Sequence, residues 1–264
     1  MLDLTSYTYS FEELIRGNFL YVDKTEYIWN MVRPATAGYF LSRPRRFGKS
    51  LTVSTLKAVF QGKKELFKGL AIYDKPYDWK RYPVIHLDMN GLDFSSEDEL
   101  ESSLCDLVTE AAASHELTLE LANAASMFRV LINRLAEQEQ VVILVDEYDK
   151  PILNNLNKPH AQKILDKLKV FYSVIKAFES KERFVFVTGV SKFCHVSLFS
   201  DLNNLTDISM HRDYAAMFGY TQSELEHYFS DRIEATAQAQ KVSVEELKRK
   251  LKAWYDGYCF EETS

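Results

Sequence analysis

Tyr39-Phe40-Leu41-Ser42-Arg43-Pro44-Arg45-Arg46-Phe47-Gly48-Lys49-Ser50 is the stretch on which the fold turns. Its first three residues make a short, continuous apolar run, as in a strand buried on both faces. A loop follows, then Gly48-Lys49-Ser50, then a helical pattern with Val53, Leu56 and Phe60 on one side. This is the layout of a phosphate-binding loop. Backbone N–H groups and the helix N-terminus hold phosphate oxygens, the lysine reaches the β- and γ-phosphates, and the serine hydroxyl takes Mg²⁺. The first glycine of G-x-x-x-x-G-K-[ST] is missing: Arg43 stands there, followed by Pro44. Gly-Lys-Ser alone also fits an incidental helix start, so a second motif has to carry weight.

That second motif is Val141-Val142-Ile143-Leu144-Val145, a buried-strand pattern ending in Asp146-Glu147. In open α/β sheets, ligands bind at the carboxyl ends of strands, which is where both motifs end. An aspartate there holds Mg²⁺ or its water, and a following glutamate orients and deprotonates an attacking water. A third run, Phe184 to Val187, leads into Thr188-Gly189-Val190-Ser191-Lys192. Thr188 or Ser191 is placed to sense a γ-phosphate; a plain turn fits as well. Arg212 could reach a phosphate in its own or a neighbouring protomer, or be a surface arginine.

Outward from the motifs, the chain alternates strands with amphipathic helices. Val84 to Leu87 is a further strand, and Thr206 to Met210 a fifth, shorter one. Leu100, Leu104, Leu107, Val108 and Ala111 form one helical stripe, and Ile164, Leu168, Phe171 and Ile175 lie on another. The expected class is α/β: a mostly parallel sheet of about five strands flanked by helices. Thr221 with Glu224, and Ser243 with Glu246, are capping boxes, and Tyr220 with Leu225 a hydrophobic staple. The division is therefore a core over 1–213 and, over 214–264, a helical lid or the start of a second, truncated unit.

The 264 residues carry 32 Lys+Arg against 38 Asp+Glu, a net charge of −6. The charge is unevenly spread. From Arg33 to Lys68 there are nine basic residues and one acid, Glu65, a net of +8, which leaves −14 for the remainder. Asp93 to Glu120 carries nine acids and no Lys or Arg, and reads as a solvated helix face. A generally basic nucleic-acid coat protein is excluded, and so is overall disorder. Cys105, Cys194 and Cys259 form no CxxC, and His115-Glu116 lacks the second histidine of HExxH. With neither a secretory signal nor a membrane-length apolar run, a soluble cytoplasmic protein is expected.

At these residues the sequence resembles the prokaryotic AAA-ATPase-like family, whose members often carry a PD-(D/E)xK nuclease-like domain after the ATPase. The resemblance rests on Tyr21-Val22-Asp23-Lys24-Thr25, on Ser42 to Ser50, on Leu144-Val145-Asp146-Glu147-Tyr148-Asp149, on Thr188 to Ser191 and on Trp254-Tyr255-Asp256-Gly257-Tyr258. Arginine at the first-glycine position is typical of that family. The resemblance implies a P-loop NTPase with strand order 5-1-4-3-2, ATP as ligand and Mg²⁺ as cofactor. Arg43, Pro44, Arg45, Arg46, Phe47, Gly48, Lys49, Ser50 and Leu51 would line the nucleotide site. Ser50 and Asp146 would hold the metal, Lys49, Glu147 and Thr188 would serve catalysis, and Tyr21 to Thr25 is a candidate frame for the base. A nuclease domain, with DNA as its partner, would follow Ser264. Glu246-Leu247-Lys248 has the E-x-K spacing but fits a helix surface better. The expected activity is ATP hydrolysis, with a homo-oligomer possible. The alternatives are a nucleotide-gated switch with little turnover, or a nucleic-acid-binding module using the 43–68 basic region.

Overall fold

The computed structural model describes residues 2–5, 7–92, 94–192, 204–255, 257 and 259–261. Its centre is a five-stranded parallel sheet of β1 (Ala37–Ser42), β2 (Val84–Asp88), β3 (Val141–Asp146), β4 (Glu182–Gly189) and β5 (Thr206–Asp207). The order is β2-β3-β4-β1-β5, the expected 5-1-4-3-2 read from the opposite edge. The helices are α1 (Phe11–Arg16), α2 (Thr25–Val32), α3 (Lys49–Phe60), α4 (Glu97–Ala113), α5 (Ala124–Ala136), α6 (Lys150–Leu153), α7 (Ala161–Ala177), α8 (Gln222–Gln240) and α9 (Val244–Tyr255).

Both faces of the sheet are covered, which is why its strands read as unbroken apolar runs. Val141, Ile143 and Val145 of β3, with Val185 and Val187 of β4, pack into one core with α4, α5 and α7. Val142, Leu144, Phe184 and Phe186 point the other way, into a second core with α1, α2 and α3. The acidic N-terminal turn of α4 holds Glu97, Asp98 and Glu99, where the helix dipole favours negative charge.

Two strands differ from their sequence reading. β4 begins two residues early, with the buried pair Glu182 and Arg183. Arg183 is accommodated because Nη2 donates to the Val32 carbonyl at 2.6 Å while the guanidinium lies over the Phe60 and Tyr82 rings. β5 pairs only through Thr206 and Asp207 rather than to Met210. Asp207 Oδ1 accepts from the Ser209 N–H at 2.8 Å, and Ser209 Oγ accepts from the Ser42 N–H at 2.8 Å, a side-chain turn in place of a ladder.

Helix α8 starts with the complete Thr221–Glu224 capping box. At α9, Ser243 Oγ accepts from the Glu246 N–H at 3.1 Å. Tyr220, expected to staple onto Leu225, packs its ring against Phe229 at 5.4 Å. Buried Ile233, Ala237 and Leu247 give α8 and α9 a small core of their own. The pair is tied to the sheet-bearing part by Lys24, whose Nζ donates to Glu224 Oε1 at 2.5 Å and to the Ala216 carbonyl at 2.7 Å. Glu246 and Lys248 do lie on helix α9, paired with Lys250 and Glu226.

Candidate nucleotide-binding site

Strand β1 delivers the chain to Ser42 and α3 takes it up at Lys49. The loop between turns through two left-handed residues, Arg46 at φ +68° and Gly48 at φ +79°. For arginine that backbone is strained, and such strain collects at functional loops. Pro44, Arg45, Arg46 and Gly48 are exposed; Phe47, Ser50 and Leu51 are half-buried. Lys49 is buried at the start of α3, and its Nζ donates to the Arg43 and Pro44 carbonyls, both at 3.0 Å. Burial pulls its pKa down, against the nearby charges of Asp146, Glu147 and Asp149, which push it up.

Asp146 ends β3 with 2% of its surface exposed, and its carboxylate lies beside the Ser50 side chain. Burial raises its pKa to about 6; the Ser50 hydroxyl opposes this, the charges of Asp88 and Glu147 add to it, and Lys49 opposes it. Glu147 adopts φ +53° and donates its N–H to Asp146 Oδ1 at 3.0 Å. Its Oε2 lies 3.3 Å from Lys150 Nζ.

Tyr148 and Asp149 complete the turn by stapling β3 to β4. Asp149 is fully buried, and its Oδ2 accepts from the N–H groups of Val190 (3.0 Å) and Ser191 (2.6 Å). Tyr148 donates its N–H to the Thr188 carbonyl at 3.0 Å and its hydroxyl to the Ser191 carbonyl at 2.6 Å. Gly189 permits this approach: a Cβ there would lie 2.4 Å from Tyr148 Cε1. Thr188 pairs in register with Leu41, whose side chain packs in the α3-side core. Its Oγ1 is buried and has no hydrogen-bond partner among the described residues. Ser191, the other candidate sensor, enters this staple through its main chain.

Other residues of the sequence reading are distributed differently. Arg43, expected with Arg45 and Arg46 to line the nucleotide site, has its side chain buried and turned onto the carbonyls of Cys259 (3.2 Å) and Phe260 (2.8 Å). Tyr21 to Thr25 forms an internal bracket. Asp23 Oδ1 accepts from the Thr25 N–H and hydroxyl, Asp23 Oδ2 from Ala71 N–H, and Thr25 Oγ1 from Ile72 N–H. Arg212 lies exposed at the head of a 3₁₀ turn. In the basic window, Lys64 and Lys68 are exposed, whereas Lys63 pairs with Glu12 at 2.6 Å.

Sequence reasoning missed Asp88, Asn90 and Lys150. Asp88 ends β2 in register with Asp146. Its Oδ1 accepts from the Asn90 N–H at 2.9 Å, and Asn90 Oδ1 accepts from Lys150 Nζ. The available signal was an acid closing a second buried strand, Val84 to Leu87, as Asp146 closes the first.

Among the described residues, no group of three His, Cys, Asp or Glu forms a self-sufficient metal cage. The hydroxyl of Ser50 beside the carboxylate of Asp146 is a donor set of another kind. Mg²⁺ at nucleotide sites takes one or two protein oxygens and completes its shell with phosphate and water. No helix among the described residues is long and apolar enough to cross a membrane.

A family model described as "Predicted AAA-ATPase" matches residues 7–199, which take in the phosphate loop, β3 with Asp146 and Glu147, and the end of β4. An uncharacterized protein in the vnfD 5′ region of Azotobacter chroococcum mcd 1 is 39% identical over 254 residues. That alignment covers 94% of this chain and 47% of the relative, so the chain spans about half the length of the curated relative it matches. The chain belongs to the AAA-ATPase-like family.

Proposed function

We propose that this chain binds ATP with Mg²⁺ and hydrolyses the β–γ phosphoanhydride bond. The observation that carries the reading is the nearness of Ser50, in the phosphate loop, to the carboxylate of Asp146, at the end of β3. It brings two motifs 96 positions apart in the sequence to one point, with oxygen donors of the kind Mg²⁺ takes. Lys49 exchanges the Arg43 and Pro44 carbonyls for phosphate oxygens, a stronger, charge-assisted bond. The first N–H groups of α3 add to it. Ser50 and Asp146 would hold the metal, which would supply charge neutralisation for the phosphates. Glu147 takes a proton from the water whose oxygen bonds to the γ-phosphorus, and the bond to the bridging oxygen breaks. Thr188, whose hydroxyl is buried and unpartnered, serves as the residue that senses that phosphate.

A thermal shift with MgATP, run on wild type and on Lys49→Ala, tests this reading. At one hundred times its Kd a ligand adds about 2.7 kcal/mol, several degrees for a chain of this size. The wild type shifts and Lys49→Ala does not. No shift, or the same shift in both, overturns the reading.

A second reading, a nucleotide-gated switch with little intrinsic turnover, is favoured by the pairing of Glu147 with Lys150. The two readings share the binding step and differ in the rate of phosphate release. Direct nucleic-acid binding by the loop is less favoured, because Arg43 is spent on main-chain carbonyls. In keeping with the family resemblance, the activity drives or gates an associated nuclease-like module acting on DNA, with the α8–α9 pair as its lid and a homo-oligomer as one possible assembly. The free thiols of Cys105 and Cys259 suit a reducing, cytoplasmic setting.

A further inference from the structure

Arg43 occupies the place where a generic phosphate loop has glycine, and its guanidinium serves the far end of the chain. Nη1 donates to the Cys259 carbonyl at 3.2 Å and Nη2 to the Phe260 carbonyl at 2.8 Å. The guanidinium carbon sits 5.1 Å from the centre of the Phe260 ring, and Nε is buried with no hydrogen-bond partner. Phe47, from the same loop, meets the Phe260 ring at 5.9 Å. Gly219 lies beneath that ring: at φ +83° it is left-handed, and a Cβ would come within 3.1 Å of Phe260 Cζ. Cys259, Phe260 and Glu261 thus form a strap fastened to the phosphate loop by two of its own side chains.

The main chain of Arg43 belongs to the catalytic side. Its carbonyl accepts from Lys49 Nζ at 3.0 Å, and its N–H donates to the Gly189 carbonyl at 3.2 Å, beside Thr188. A phosphate that takes Lys49 leaves the Arg43 and Pro44 carbonyls without their donor. A buried acceptor so stripped costs about 1–3 kcal/mol unless the loop rearranges. Rearrangement at Arg43 moves the guanidinium that fastens the strap. The strapped loop and the phosphate-bound loop therefore call for different states of the same residue.

We infer that the Cys259–Glu261 strap and a nucleotide phosphate compete for the phosphate loop, with Arg43 as the residue that couples them. The docked strap holds the loop closed on Lys49, and phosphate entry releases it. This rests on the nucleotide reading above and adds to it the means by which the chain after α9 senses the loop. The coupling is reciprocal: whatever loosens the strap tightens nucleotide binding by the same factor.

The test uses the whole chain with Cys105 and Cys194 changed to serine, a fluorophore on the exposed Cys259, and the Mg²⁺ complex of a non-hydrolysable ATP analogue. Probe anisotropy is expected to fall on saturation with the analogue, and to be low without nucleotide in Arg43→Ala. In unlabelled protein, Phe260→Ala is expected to bind the analogue at least about fivefold more tightly, the low end of usual coupling. Unchanged anisotropy in Arg43→Ala overturns the anchoring. Analogue binding that leaves the anisotropy unmoved, or equal or weaker binding by Phe260→Ala, overturns the competition while the nucleotide reading stands. Failure of both wild type and Phe260→Ala to bind overturns the nucleotide reading and the competition together.

Discussion

Lys150 Nζ lies 3.3 Å from Oε2 of Glu147 and donates at the same time to Asn90 Oδ1, so the residue assigned to the attacking water is held from the side by a cation anchored beyond β2. Both side chains are mostly buried, 25% and 20% exposed, and Glu147 is further fixed by its left-handed backbone. Replacing Glu147 by glutamine keeps shape and removes the base. Phosphate release should fall at least about 100-fold, while the MgATP thermal shift stays. Replacing Lys150 by methionine frees the carboxylate from a pair worth about 1 kcal/mol. Basal phosphate release should rise about 2–5-fold with affinity unchanged; a fall would mean that the pair aims Glu147 at its water.

The parts of the site that were legible in the sequence are those made by local pattern. Val141 to Val145 announces a strand because every side chain is buried on one face or the other, and Gly48-Lys49-Ser50 marks the start of α3. Arg183 did not read as strand, because its burial depends on Val32, Phe60 and Tyr82, which lie far away in the chain. Arg43 was recognisable as a loop residue, but its direction is set by carbonyls more than two hundred positions later. Asp23 and Thr25 stood out as a motif whose work, bracing residues 71 and 72, only the tertiary structure displays.

Thr188 separates a sensor from a strand end. Its hydroxyl is buried without a partner, so Thr188→Val should stabilise the nucleotide-free protein by about 1 kcal/mol while lowering phosphate release tenfold or more. Higher stability with unchanged turnover would leave Thr188 a purely structural place. Gly189→Ala is the companion test of the staple. Its Cβ would strike the Tyr148 ring, and relieving the clash should cost about 1–3 kcal/mol in a urea melt.

Glu182 gives the fold a pH dependence remote from the nucleotide. Burial, with the Glu179 charge adding, raises its pKa from 4.5 to about 8. The folded chain therefore keeps a proton that the unfolded chain gives up near 4.5. Stability from this group is complete below that pH and is lost as pH rises through about 8. Glu182→Gln should gain on wild type by at least about 1 kcal/mol between pH 5 and pH 9 in parallel denaturation series. Parallel profiles would show that the carboxyl is already ionised at pH 5 in the folded chain.

Asp146 has the same sign in a different window, with a consequence for the metal. Burial raises its pKa from 3.8 to about 6, so its contribution to stability is complete below 3.8 and lost as pH rises through about 6. At pH 7.5 the carboxylate is charged at a cost of about 3 kcal/mol, the kind of cost a bound cation offsets. Asp146→Asn should therefore melt several degrees above wild type at pH 7.5 without ligand, and level with it near pH 4. In the wild type, the extra nucleotide affinity conferred by Mg²⁺ should decline as pH falls below about 6, because the metal needs the ionised carboxylate. Chelating Mg²⁺ should reduce wild type to the affinity of Asp146→Asn, which should show no response to chelation. A variant that still responds to Mg²⁺ would place the metal on other oxygens, with Asp88 the first to examine.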